Sequence, residues 1–178
     1  MVSLVVLFWI FVVIFGIVGA MRGWAKELLV SFAVILWIFF ITVIELFVHF
    51  IRDVLSVGSS APLFWIRTGI LLVLVLFGYQ TPNIPKLAGT NRFARERLQD
   101  ILLGIFLGMV NGYLVMGTIW YFLHAAGYPF PTVVTAPAGA ELAIVNNYMK
   151  MLAPALLGTP TIYFAVAVAF AFILMVFI

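Results

Sequence analysis

Three ionisable residues near the end of one apolar run have a spacing that could support proton transfer. Glu45, His49 and Arg52 fall at positions i, i+4 and i+7, which places them on one face of a helix. Ionisable side chains inside membrane segments are candidates for functional sites. A relay through the membrane would need partners deeper in the other runs, and polar side chains there are few: Ser31, Thr42, Asn111 and Thr118. The pattern therefore favours a structural polar cluster near one surface.

Glu45 also has a candidate partner in the next apolar run. It lies 11 residues before Ser56, and Arg67 lies 11 residues after Ser56. In an antiparallel helix hairpin centred there, the two charges lie at matching depth, and pairing lowers the cost of burying them in lipid. We predict an intramembrane ion pair between Glu45 and Arg67. The alternative is that Arg67 extends to the headgroups, which leaves Glu45 to His49 or Arg52.

The sequence contains none of the residue patterns that define common enzyme sites. It has no cysteine and two histidines. Paired carboxylates, a His-x-x-x-His pattern, a Gly-x-Ser-x-Gly turn and a phosphate-binding glycine loop are all missing from it. We therefore predict a non-enzymatic protein with no catalytic residue, no cofactor-binding residue and no metal ligand.

Composition explains why so few residues could do chemistry. Hydrophobic residues make up 66% of the chain and charged residues 8%, and the mean hydropathy is +1.29. Soluble domains are about 45–50% apolar and about 25% charged. The predicted partner of most of the surface is therefore the lipid bilayer. Nucleic acid is not an expected partner, because the nine basic residues lie in short turns and form no groove.

The apolar runs predict one all-α domain over residues 1–178, a polytopic bundle of transmembrane helices with five spans. The spans are expected at 2–21, 28–50, 63–79, 101–123 and 161–178. Residues 124–160 form a long connection in which 141–152 has helical periodicity, with Leu142, Val145, Met149 and Leu152 on one face. This amphipathic helix could lie in the membrane interface, on a partner, or against its own bundle.

Glycine spacing predicts which helices pack together. Gly19 and Gly23 end the first span, and Gly104, Gly108 and Gly112 follow one another at four-residue spacing in the fourth. Small residues at this spacing line one helix face and let a second helix backbone approach closely. We predict that the first and fourth spans pack through these glycines, and that Gly78 lies outside this face.

Two stretches resemble the signature motifs of the colicin V production protein (CvpA) family. They are GAMRGWAKELL at 19–29 and DILLGIFLGMVNG at 100–112, and the resemblance covers about residues 1–123. It implies a small polytopic protein of the bacterial cytoplasmic membrane, associated with bacteriocin production and envelope homeostasis, with no established enzymatic activity. The chain departs from the family at Asn111, where a basic residue often stands, and in the additional run 161–178.

Basic residues are distributed unequally between the two sides of this bundle. The loops at 22–27 and 80–100 carry six of them, and the opposite side carries three. The positive-inside rule therefore predicts that these loops are cytoplasmic and that the N-terminus lies outside. A cytoplasmic basic face would consist of Arg22, Lys26, Arg92, Arg95 and Arg97. This face is either a topology anchor at the headgroups or a docking surface for a partner.

Three functions fit this architecture. The resemblance favours an envelope protein that acts through membrane-protein partners or as a homo-oligomer. Small size and high aromatic content are equally suited to a structural subunit of a larger membrane complex, such as an energy-transducing assembly. A channel or transporter is disfavoured, because the runs lack the polar lining or the broken helices that conduction sites use.

Overall fold

A computed structural model describes residues 3–47, 61–80 and 94–177 of the chain. Within these ranges the chain is an all-helical bundle without strands. The helices are α1 (Leu4–Arg22), α2 (Trp24–Phe47), α3 (Ala61–Tyr79), α4 (Ala94–Ala125), α5 (Ala140–Met151), α6 (Ala153–Leu156) and α7 (Thr161–Phe177).

Four helices, α1 to α4, are long and apolar enough to cross a membrane, which makes the chain a multi-pass membrane protein. The fifth predicted span is α7, whose 17 residues rise about 25 Å and so reach the lower limit of a bilayer-spanning helix. Helix α4 begins at Ala94, seven residues before the predicted start of the fourth span, so Arg95 and Arg97 belong to the same continuous helix as that span.

The second span begins four residues earlier than predicted, because a single glycine forms the turn before it. Gly23 separates α1 from α2 and has a φ of +83°, a backbone conformation that residues with a Cβ rarely adopt. Its amide donates to the carbonyl of Gly19 at 3.0 Å, which ends α1. The Asp100 carboxylate accepts from the Trp24 amide at 3.3 Å, so a side chain of α4 caps the start of α2.

Helices α1 and α4 pack along their length through the predicted glycines. A Cβ built on Gly19 would overlap the carbonyl oxygen of Gly104, and one on Gly108 would overlap the carbonyl oxygen of Phe15. At Gly112 the nearest atom would be the Cα of Val12, at 2.8 Å. The two backbones are therefore in direct contact, and larger side chains at these positions would separate them.

The apolar core continues from this contact in three clusters. The largest joins α2, α3, α4 and α7 through Val34, Leu71, Val115 and Ile162, all of which are buried. In the second, Val145 and Met149 of α5 are buried against Phe8 and Trp120. The amphipathic helix therefore packs against its own bundle. Leu142, predicted on its inner face, is 40% exposed. The third cluster surrounds Phe64 and Phe122.

We expect Gly108→Leu to lower the free energy of unfolding by about 3 kcal/mol or more, because the new side chain has to displace a helix backbone. The matched control is Gly69→Leu, since a Cβ at Gly69 meets no atom within 4 Å. Gly78, although outside the α1–α4 face, is unsuitable as a control, because a Cβ there would lie 3.2 Å from the Cα of Val30 in α2. Thermal unfolding in detergent measures both variants, and equal losses would show that the glycine face does not join the helices.

Candidate functional site

The most buried charge among the described residues is the carboxylate of Glu27, in the first turn of α2. Its side chain is 0% exposed, and the Arg22 guanidinium donates to Oε1 at 2.7 Å. The Arg22 side chain, at the end of α1, is 17% exposed. A buried carboxylate is costly unless it is paired and hydrogen-bonded, so this pair is the element around which the neighbouring groups must be arranged.

Arg22 also binds the end of α3. Its second nitrogen, Nη2, donates to the carbonyl oxygens of Tyr79 at 2.9 Å and Gly78 at 3.5 Å. The guanidinium carbon lies 4.2 Å from the centroid of the Tyr79 ring. The last carbonyls of a helix lack intrahelical donors, and the C-terminus carries partial negative charge, so a cation is favoured there. One arginine therefore connects α1, α2 and α3.

Asn111 of α4 supplies the second partner of the carboxylate. Its side chain is fully buried, and Nδ2 donates to Glu27 Oε2 at 2.7 Å and to the Glu27 carbonyl at 2.9 Å. The Ser31 hydroxyl donates to Asn111 Oδ1 at 2.6 Å. Both ends of the amide are therefore bonded. We refer to Arg22, Glu27, Ser31, Tyr79 and Asn111 as the Glu27 cluster.

The Glu27 cluster changes the interpretation of the basic residues. Arg22, predicted as part of the cytoplasmic basic face, turns its guanidinium into the bundle, where it pairs with Glu27 and binds the end of α3. Lys26 is half-buried, and Arg97 is exposed on α4. Arg92 lies outside the described residues, and so does the side chain of Arg95, so the five-residue basic face stays a prediction.

At the opposite end of the bundle the structure brings Glu45 and Arg67 together. Arg67 Nη2 donates to Glu45 Oε1 at 2.7 Å, and the Arg67 guanidinium carbon lies 5.5 Å from the centroid of the Phe122 ring. The Glu45 side chain is 39% exposed. His49 and Arg52, the alternative partners of Glu45, lie outside the described residues.

Sequence reasoning identified most of the members of the Glu27 cluster but did not place them together. In the sequence, Ser31 and Asn111 are two of the few polar residues of the apolar runs, and Glu27 is part of the first motif stretch. The missed signal is Asn111 itself, which lies between Gly108 and Gly112 in the glycine stripe. A polar residue there is directed to the place where helices approach most closely. No group of acidic residues and histidines able to hold a metal ion is found in the described part of the chain.

Comparison with protein-family models, with curated proteins and with solved structures finds no match for this chain. The resemblance to the colicin V production family is therefore carried by the two motif stretches alone. In the structure these stretches are in contact with each other, at Gly19 with Gly104, at Trp24 with Asp100 and at Glu27 with Asn111.

We expect Arg22→Lys to lower the free energy of unfolding by about 2–3 kcal/mol, although the charge is kept. A lysine is a single point charge and cannot bind the Glu27 carboxylate and the α3 carbonyls at once as the guanidinium does. The control is Arg97→Lys, on an exposed position of α4, which should be neutral. Thermal unfolding in detergent provides the measurement. If Arg22→Lys were as stable as wild type, the simultaneous binding of the Glu27 carboxylate and the α3 carbonyls by the guanidinium would contribute nothing to stability.

For the second ion pair we expect Glu45→Gln and Arg67→Gln each to lower the melting temperature. The double variant should lose less than the sum, because it leaves no unpaired charge. Since Glu45 is more than a third exposed, the coupling should be small, about 0.2–1 kcal/mol. Strictly additive losses in a double-mutant cycle would contradict an energetic coupling between the two side chains.

Proposed function

We propose that this chain is a non-enzymatic protein of the bacterial cytoplasmic membrane, similar in role to the colicin V production family. It supports bacteriocin production or envelope homeostasis, and it acts through partner proteins or as a homo-oligomer. The proposal extends the two-motif resemblance from sequence to function.

The observation that carries the proposal is the meeting of the two motif stretches in the Glu27 cluster. Arg22 and Glu27 come from the first stretch and Asn111 comes from the second. A basic residue at position 111, as the family often has, would face the same carboxylate. Asparagine also presents a donor to it, so the departure from the family keeps a hydrogen bond at this place.

The bonding of the cluster supports a structural role rather than a chemical one. The Glu27 carboxylate accepts from Arg22 and Asn111, and the hydroxyl of Ser31 is directed to the same amide. These groups are held by one another and by backbone carbonyls inside the bundle. In such an arrangement the polar atoms fix helix positions, and the surface that faces other molecules is formed by the outer sides of the spans.

We also propose an orientation, with the Gly23 turn in the cytoplasm and residues 124–160 outside, on the basis of the six-to-three distribution of basic residues. The chain has no cysteine, so single cysteines can be introduced without background. Gly23 itself is unsuitable, because a Cβ there would lie 2.9 Å from the Asp100 carboxylate. Gln99 and Ala138 are exposed alternatives near opposite ends of the bundle.

In intact cells we expect an impermeant thiol reagent to label Ala138→Cys and to leave Gln99→Cys unlabelled until the membrane is opened. The positive-inside rule gives this direction, because basic loops are retained in the cytoplasm. The reverse labelling pattern would invert the orientation.

The function is tested by complementation in a bacterium that lacks its own colicin V production protein. We expect the wild-type chain and Gly69→Leu to restore colicin V production, and Asn111→Leu to fail at equal membrane abundance, because leucine removes the 2.7 Å donor of Glu27 Oε2 and leaves only the Tyr79 hydroxyl at 3.5 Å. Equal abundance is verified by immunoblotting of membranes. No rescue by a stably inserted wild-type chain would contradict the proposed function.

The structural-subunit alternative predicts a different behaviour of the native protein. After mild solubilisation, a subunit of an energy-transducing assembly migrates in a large complex of fixed stoichiometry. An envelope protein of the proposed kind migrates as a small oligomer with substoichiometric partners. Native electrophoresis followed by mass spectrometry of the excised band distinguishes the two.

A further inference from the structure

A groove runs along one flank of the bundle between α2 and α7. Its volume is about 500 Å³, and it is open to the side. The walls include Leu28, Phe32 and Ile35 from α2, Ala165 and Ala169 from α7, and Leu107 from α4. It lies away from the Glu45–Arg67 pair, and the function proposed above does not use it.

The groove exists because aromatic pairs set the distance between the two helices. Phe39 contacts Tyr163 with ring centroids 6.1 Å apart, and Phe32 contacts Phe170 at 6.5 Å. On the face of α7 that lines the groove, two alanines, Ala165 and Ala169, lie one helical turn apart among the larger Phe164, Val168 and Phe172. Large side chains therefore separate the helices while small ones leave the space between them unfilled.

The lining determines what kind of molecule can enter. The polar lining residues are Thr161, at the start of α7, and Ser31. The Ser31 hydroxyl turns away from the groove to donate to Asn111 at 2.6 Å. The interior thus offers hydrocarbon along nearly its whole length. A polar ligand would lose its hydration there without replacement hydrogen bonds, whereas an apolar chain loses none.

The length of the groove matches that of an acyl chain in one leaflet. The lining residues of α7 run from Thr161 to Ile173, a rise of roughly 18 Å. The length is close to the hydrocarbon depth of one leaflet, about 15 Å.

We propose that this groove binds one acyl chain of a membrane phospholipid and holds it as a defined site, distinct from the lipid that surrounds the other spans. The bound chain packs against α2, α4 and α7 together and so fills the space that the helices leave. The site also lies beside the Glu27 cluster, since Ser31 belongs to both the groove wall and the cluster.

The test uses the full chain reconstituted in vesicles of phosphatidylethanolamine and phosphatidylglycerol with a trace of a phospholipid that carries a diazirine in one acyl chain. After illumination we expect adducts to concentrate on peptides that contain Leu28 to Ile35 and Phe164 to Ile173. Ala169→Phe, which fills the groove, should lower these adducts at least fivefold. The matched control is Ala167→Phe, on an exposed position of the same helix, and it should leave them unchanged.

Native mass spectrometry of detergent-purified protein provides the second measurement. Wild type and Ala167→Phe should retain one phospholipid, and Ala169→Phe should lose it while keeping the wild-type helical content by circular dichroism. Adducts spread evenly over α7 and the exposed face of α1 would overturn the proposal. So would a bound peptide or second copy of the chain in place of the lipid, or a lipid that is retained after Ala169→Phe.

Discussion

The buried carboxylate of Glu27 constrains the positions of the helices at one end of the bundle. An ionised side chain in a membrane segment is costly, and it persists where partners surround it. Arg22 arrives from α1 and Asn111 from α4, and Arg22 extends the contact to the last carbonyls of α3. Four helices thus meet at one group. Removing either Arg22 or Asn111 takes a 2.7 Å hydrogen bond from a carboxylate that is 0% exposed, so the position of each helix is coupled to the other three.

The close approach of these helices depends on glycine as much as on charge. Gly23 turns the chain with a single residue, which places Arg22 and Glu27 on either side of the turn and within reach of each other. Gly104 and Gly108 then allow α4 to lie against α1, so that Asn111 reaches the carboxylate of α2. In lipid the hydrophobic effect does not drive helices together, and close backbone packing and interhelical hydrogen bonds take its place. The glycine contacts and the Glu27 cluster therefore hold the same helices together.

The parts of this structure that sequence could predict are those encoded locally. Apolar runs predicted the helices, and glycines at four-residue spacing predicted the α1–α4 contact. Glu45 and Arg67 are equally far from Ser56 along the sequence, and this spacing predicted their pairing. Glu27 and Asn111 are 84 residues apart, and no periodicity relates them. A cation at a span end, such as Arg22, is expected at the headgroups or on a docking surface, and its inward direction depends on α3 ending beside it. The groove depends on the distance between α2 and α7, which the sequence of neither helix contains.

Helix α7 is attached to the bundle differently from helices α1 to α4. Helices α1 to α4 are joined by backbone contacts at glycines and by hydrogen bonds among buried polar groups. Helix α7 meets α2 through the buried Ile162 and the two aromatic pairs, and within the described ranges no side-chain hydrogen bond connects it to the bundle. Van der Waals contact alone must then hold it, and the contact is interrupted by the groove. An acyl chain in that groove restores the missing contacts, because its methylene groups touch both helices where they do not touch each other. The lipid would therefore contribute to the attachment of α7, which among the described helices of the apolar core has neither a polar contact nor a glycine contact with α2.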